Sequence, residues 1–327
     1  MTPTAKALLF LIITFLPVLL TIRKQTEGGG NCQLLDFNYT NCLRGVAILL
    51  IMTGHIVGTM GFRYINPFGG TGVALFLFLS GFGCNESYKH KGLNGFWRKK
   101  VKRVLLPYGI VITLIYAFLQ KSIWDLSYLL EIYGLQTTYW FIAFLIKWYI
   151  VFWATTKFIL RWRVITMCFC GLLMLVFLPE IEAEQSLSFL LGVVCSEKLK
   201  SVKSLSKSRL AVITILGLVI GGLFLAIKQL PEVRQYEGES VYAIVQMMIK
   251  VPFAISLVAV LTFLPSLLKS HYLMLAGIIS YELYLVHFPF YIYLEGRLMW
   301  AILLFVCSFI VAYVFNRFNV KISKLIG

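Results

Sequence analysis

The sequence predicts an all-α, polytopic integral membrane protein with about 10–11 transmembrane helices. Three observations carry that expectation. Of 327 residues, 59% are hydrophobic and only 13% charged, with 26 Phe, 17 Tyr and 7 Trp, more apolar surface than a soluble chain of this length could bury. The apolar residues fall in runs near the length that crosses a hydrocarbon layer of about 30 Å. The Lys and Arg residues, which give a formal net charge of +16, are confined to short links between those runs. That confinement, with no RNA- or DNA-binding pattern beside it, argues against a nucleic-acid partner. The cysteines are odd in number, scattered and mostly within apolar runs, so they indicate neither a disulfide framework nor a metal site.

The candidate spans follow in order. In the first, 7–22, the basic Arg23 and Lys24 follow the apolar core and no small-residue cleavage site is present, so it reads as a span and not as a signal peptide. The flexible "EGGGNCQ" (27–33) separates it from the rest. The second, 40–61, carries Arg44 near one end and His55 near the other. The third, 72–87, belongs to "FGGTGVALFLFLSGF" (68–82), in which Gly69, Gly70 and Gly72 read as helix packing and Ser80-Gly81 fall near mid-membrane. The fourth, 104–120, follows the basic stretch "FWRKKVKRVLLP" (96–107), and the fifth, 137–156, contains Trp140 and Lys147. Segments 164–178 and 186–196 come next, the latter short for a crossing. The remaining four are 210–227, 241–264 with Lys250, 273–293 with Ser280, Glu282, Tyr284 and His287, and 298–316.

The links alternate in charge. Arg23-Lys24, "YKHKGLNGFWRKKVKR" (88–103), "KFILRWR" (157–163), "KLKSVKSLSKSR" (198–209), Lys269 and the tail with Arg317, Lys321 and Lys324 fall on one side. The acid-rich "PEIEAE" (179–184) and "PEVRQYEGE" (231–239) fall on the other. The positive-inside rule then puts the N-terminus outside and the C-terminus in the cytoplasm. No link is long enough for a soluble domain, so residues 1–327 read as one membrane domain, with 1–30 adding a span and linker to a core over 38–315. The Asn38-Tyr-Thr and Asn85-Glu-Ser triplets match the glycosylation pattern by chance, since both sit on or near the predicted inner side.

Arg44 and His55 lie eleven residues apart, so an ideal helix brings them within roughly 20° of one face and about 16 Å apart along its axis. Intramembrane ionisable residues are functional candidates by default. Lys147, Lys250 and Glu282 fall near mid-membrane, where a structural Lys–Glu pairing is expected, with two lysines competing for one acid. Ser280, Tyr284 and His287 share a helix face, and His287 reaches about the depth of His55, a candidate supporting or acceptor-site residue.

Six motifs in order, "RGVAILLIMTGH" (44–55), "GVALFLFLSGF" (72–82), "FWRKKVKRVLLP" (96–107), "YWFIAFLIKWYIVFW" (139–153), "FLLGVVCSEK" (189–198) and "GIISYELYLVHFP" (277–289), resemble the membrane acyltransferase-3 family over about residues 38–315. The resemblance implies a bacterial integral membrane O-acyltransferase, most simply an O-acetyltransferase, in the cytoplasmic (inner) membrane. It implies acyl-CoA, most simply acetyl-CoA, as co-substrate, with no tightly bound cofactor and no metal. The implied acceptor is a hydroxyl of a cell-surface, capsular or exopolysaccharide sugar or of its lipid-linked precursor. His55 matches the family's essential histidine and Arg44 the arginine before it. Lys100 and Arg103 match its basic R-x-x-R pair, taken to bind the donor, although a lysine at 100 keeps the charge without the bidentate fork. Ser80, Trp140, Lys147, Glu282, Tyr284 and His287 are supporting or acceptor-site candidates. Ala74 and "WFIAFL" stand where members with an extra esterase-like domain carry acids, so the chain resembles a stand-alone member. In this reading Arg44, Lys100 and Arg103 meet the CoA head, and a pantetheine arm of about 15–20 Å, comparable to the Arg44–His55 rise, delivers the carbonyl to His55. The competing class is a multi-span transporter or flippase of a lipid-linked sugar, against which stands the lack of an inverted repeat.

Overall fold

A computed structural model describes residues 1–22, 33–123, 125–133 and 138–325. The predicted linker over 27–32 and the basic pair Arg23-Lys24 lie outside them. Helix α1 (Pro3–Leu20) starts on Thr2, whose hydroxyl caps Ala5 N–H, and α2 (Phe37–Thr59) starts on Asp36, whose carboxylate accepts from Tyr39 N–H at 2.8 Å. Helix α3 (Asn66–Lys91) returns antiparallel to α2. The next crossing is continuous: α4 (Phe96–Lys100) passes through a π turn, Val101–Leu105, into α5 (Leu106–Phe118). Leu106 N–H reaches back five residues to Val101 C=O. The adjacent Pro107 has no N–H to give the turn before it, a local cause for leaving the α ladder.

A short α6 (Leu126–Ile132) precedes the long α7 (Trp140–Phe158) and α8 (Arg163–Phe177). Then come a single turn, α9 (Glu180–Ala183), a ten-residue α10 (Ser188–Glu197), α11 (Leu199–Lys203), α12 (Lys207–Ile227), α13 (Pro231–Arg234) and α14 (Ser240–Val260). The chain closes with α15 (His271–Ile278), α16 (Ser280–His287) and α17 (Leu298–Leu325). Among the described residues nine helices are long and apolar enough to cross a membrane.

The two other predicted segments differ from simple spans. The 273–293 run breaks at Ile279 into α15 and α16 and ends in a 3₁₀ turn, Tyr291–Leu294. The 186–196 segment is α10, about 15 Å long at an α-helical rise. Part of the crossing is covered by the chain before it. Gly171, at the middle of α8, packs against Ser186 and Leu187, so residues 179–187 have already descended to mid-bundle. Non-helical backbone at that depth is tolerated when protein surrounds it, and Gln185 and Ser186 are fully buried.

Burial shows which helices are central. Of the most apolar 18-residue window, 67% is buried in α2 and 72% in α3, against 22% in α1, α12 and α17, so α2 and α3 form the core and the others present apolar side chains outward. Close crossings depend on glycine. Gly54 of α2 meets Gly69 of α3, and Gly81 of α3 and Gly192 of α10 each lie against the other helix's backbone, at Phe189 and Phe78 respectively. The predicted packing role of Gly69, Gly72 and Gly81 therefore holds, whereas Gly70 is covered by the Lys250 side chain. At the end of the bundle bearing Arg44, Arg163 donates to Asn85 at 2.8 Å, pairs with Glu197 and stacks beside Tyr88 and Phe152, joining α3, α7, α8 and α10. Asn85 is 1% exposed with its amide spent on Ser196, which agrees with its reading as a chance glycosylation match.

Candidate active site

At the other end of α2, four residues before its last turn closes, His55 meets the end of α16. His55 Nδ1 lies 3.1 Å from His287 Nε2, and His287 Nδ1 lies 2.7 Å from Leu283 C=O. A carbonyl only accepts, so a neutral His287 carries its proton on Nδ1 and leaves its Nε2 as a lone-pair acceptor. His55 therefore donates from Nδ1, and its Nε2 is left as the basic nitrogen of the pair. The His55 ring is stacked on Tyr291 at 4.7 Å and met edge-on by Phe288 at 5.4 Å, which holds its plane. His287 is fully buried. Tyr284, one turn earlier, packs beside it at 6.2 Å between rings and has a buried hydroxyl without a hydrogen-bond partner among the described residues.

His55 opens on a cavity of about 380 Å³ at this end of the bundle. Gly54, Gly58 and Thr59 of α2, Asn66, Gly69, Gly70 and Val73 of α3, Trp140 of α7 and Tyr291 line it. Ile181, Glu184 and Lys250 complete its wall. Lys250 is ion-paired with Glu184, each side chain 7% exposed. Lys147 is ion-paired with Glu182 at 2.5 Å. The expected competition of Lys147 and Lys250 for Glu282 is thus corrected: the descending 179–187 segment gives each lysine its own acid. Glu282 instead accepts from Asn316 at 3.1 Å and Asn319 at 3.2 Å of α17. Just beyond α12, burial and then the nearby Lys250 ammonium hold the Lys228 amine below its ordinary value.

The basic residues gather eleven residues down α2. The Arg44 guanidinium interacts electrostatically with Tyr149 of α7 and with Arg103 of the π turn. Ser80 and Lys100 both interact with Tyr149, and the Lys100 ammonium sits 3.9 Å from the Tyr149 ring centroid and 3.0 Å from Cys84 Sγ. Arg103 is exposed. Among the described residues no carboxylate is within ion-pair distance of Arg44, Lys100 or Arg103. A hydrogen-bonded histidine pair beside a cavity at one end of a helix, with three cations paired to no described carboxylate at its other end, suits base catalysis joined to anion binding.

The family model for the acyltransferase domain, Acyl_transf_3, matches residues 37–317. The chain belongs to this acyltransferase family. It is a membrane acyltransferase, and the matched residues include the histidine pair, the cavity and the basic cluster. No curated protein and no solved structure matches the chain.

Within this acyltransferase the structure brings the sequence-singled residues into two groups. His55 and Trp140 line the cavity with His287 and Tyr284 behind His55, while Arg44, Lys100 and Ser80 gather near Tyr149 and Arg103 lies near Arg44. Lys147 and Glu282 join neither, being paired elsewhere. Among the described residues no group of three or more His, Cys, Asp or Glu side chains is spaced to hold a metal ion. Sequence reasoning missed Tyr149, Tyr291, Asn66 and the Glu184 partner of Lys250. Only Glu184 had a signal: the 186–196 segment is too short to cross alone, so its preceding residues had to enter the bundle.

Proposed function

We propose that this acyltransferase moves an acyl group from acyl-CoA, most simply acetyl-CoA, to a hydroxyl of a cell-surface polysaccharide sugar or of its lipid-linked precursor. The enzyme acts in a bacterial cytoplasmic membrane, with the Arg44 end in the cytoplasm and the His55 cavity on the far side. The observation that carries the reading is the chain of hydrogen bonds from Leu283 through His287 to His55, which leaves one basic nitrogen at a cavity. His55 Nε2 takes the proton of the acceptor hydroxyl as its oxygen attacks the thioester carbonyl carbon. The tetrahedral intermediate collapses, the carbon–sulfur bond breaks, and the leaving thiolate recovers the proton from Nε2. His287 keeps the imidazole in the reactive tautomer and shares the charge it gains, a positioning role.

The gathering of Arg44, Lys100 and Arg103, paired to no described carboxylate, supports binding of the CoA phosphates at the opposite end. The basic link over 88–103 supports a cytoplasmic placement for that end. Sealed vesicles of both orientations given labelled acetyl-CoA test the whole reading. Free CoA and acylated acceptor should appear together, and only when acetyl-CoA faces the Arg44 end. Release from the opposite side overturns the orientation, and movement of acceptor without thioester cleavage overturns the acyl-transfer reading in favour of transport.

A further inference from the structure

The Lys250–Glu184 pair is expensive where it stands. Both side chains are more than nine-tenths buried, and removing two such charges from water commonly offsets most of their mutual attraction, so the pair is a poor device for stability. It is also accommodated by a specific omission, because a Cβ on Gly70 would collide with the Cδ and Cε of Lys250. The fold therefore keeps a neutralised charge pair in the wall of the cavity onto which His55 opens. Gln185, the neighbour of Glu184, donates to Gly70 C=O at 3.1 Å and fixes the carboxylate-bearing segment to α3. The Trp140 indole and the Asn66 amide line the same cavity.

Resting on the reading of His55 as the base, we propose that Lys250 and Glu184 are the acceptor-selecting residues and that they choose a neutral sugar bearing adjacent hydroxyls. The ammonium donates to one hydroxyl oxygen while the carboxylate accepts from its neighbour, so a diol bridges the pair without leaving either charge unpaired. Trp140 offers an apolar face to the C–H face of the ring, and Asn66 offers both a donor and an acceptor. An acidic sugar is rejected because its carboxylate meets Glu184 in a cavity whose lining cation, Lys250, is already ion-paired.

The test measures acetylation of two probes, methyl α-glucopyranoside and methyl α-glucuronide, by the full-length enzyme in membranes. Wild type should prefer the neutral glycoside. Glu184→Gln should raise the apparent KM for the neutral glycoside about ten-fold, lower that for the glucuronide as Lys250 loses its counter-charge, and leave the acetyl-CoA KM unchanged. The double variant Glu184→Gln/Lys250→Gln removes both charges, guards against a folding defect from an unpaired lysine, and should accept the two probes about equally. An unchanged probe preference in both variants overturns the proposal, as does wild type that acetylates neither probe or prefers the glucuronide. The two failures are distinguishable: full activity of His55→Ala removes the base reading, whereas an inactive His55→Ala beside an unchanged Glu184→Gln profile removes only the acceptor-selecting pair.

Discussion

At the Arg44 end of α2, Arg44 and Lys100 lie near Tyr149 and Arg103 near Arg44, with no carboxylate within ion-pair distance among the described residues, whereas at the His55 end Lys250 has an acid of its own and the two histidines are tied in a hydrogen-bonded pair. The same helix thus gathers cations at one end and keeps charge balance at the other. An anion of several phosphates suits the first environment, and an uncharged hydroxyl awaiting deprotonation suits the second. On the proposed function, donor and acceptor binding are separable along one helix, so variants at one end should leave the kinetic constants of the other untouched.

The largest expected effect falls at the balanced end. His55→Ala should lower kcat about 10²- to 10⁴-fold with the acetyl-CoA KM little changed, read as labelled acetyl transfer at equal expression. Near-normal transfer by that variant would break the comparison at its centre. Next, His287→Phe should lower kcat about 10²-fold, because His55 keeps its place but loses the acceptor that fixes its proton on Nδ1. A rise in donor KM instead would move His287 to the other group.

Smaller effects are expected at the charged end. Arg103→Ala should weaken donor binding by roughly 1.5–3 kcal/mol, an approximately 10- to 150-fold rise in acetyl-CoA KM, and Arg103→Lys should recover only part of it. Unchanged donor KM with poorer acceptor use would merge the two ends. Smallest of all, Lys100→Ala should raise the donor KM less than about 10-fold, since its ammonium is already engaged by the Tyr149 ring and Cys84. A larger loss than for Arg103→Ala, measured side by side, would make Lys100 the principal phosphate ligand.

Much of this arrangement was legible in the residues because membrane burial makes polar groups conspicuous. Arg44 and His55 stand out in an apolar run, and the spacing from Ser280 through Tyr284 to His287 put the second histidine at the right depth. Lys250 was visible too, but its partner was not. Glu184 belongs to an acid-rich stretch that hydropathy assigns to a surface link; the shortness of the 186–196 segment was the one hint that this stretch enters the bundle, and packing of Gly171 on Ser186 and Leu187 shows that it does. The break at Ile279 was hidden for a related reason, since apolar composition continues across it and a hydropathy average does not register a change of helix direction. Tyr149 gave no signal, as one tyrosine among many in an aromatic helix.

The π turn at Val101–Leu105 has a consequence of phase. Such a turn is an α-helix holding one surplus residue, so it advances everything before it by about 100° relative to everything after it. The bearing of Lys100 toward Tyr149, measured against the face that α5 presents to its neighbours, is therefore set by chain length and not by any side chain. Deleting Val104 would leave hydropathy, charge and residue order nearly intact, yet restore an even α ladder and swing α4 out of alignment with α2. A one-residue change in length is thus the perturbation this crossing tolerates least, although no substitution table would single it out.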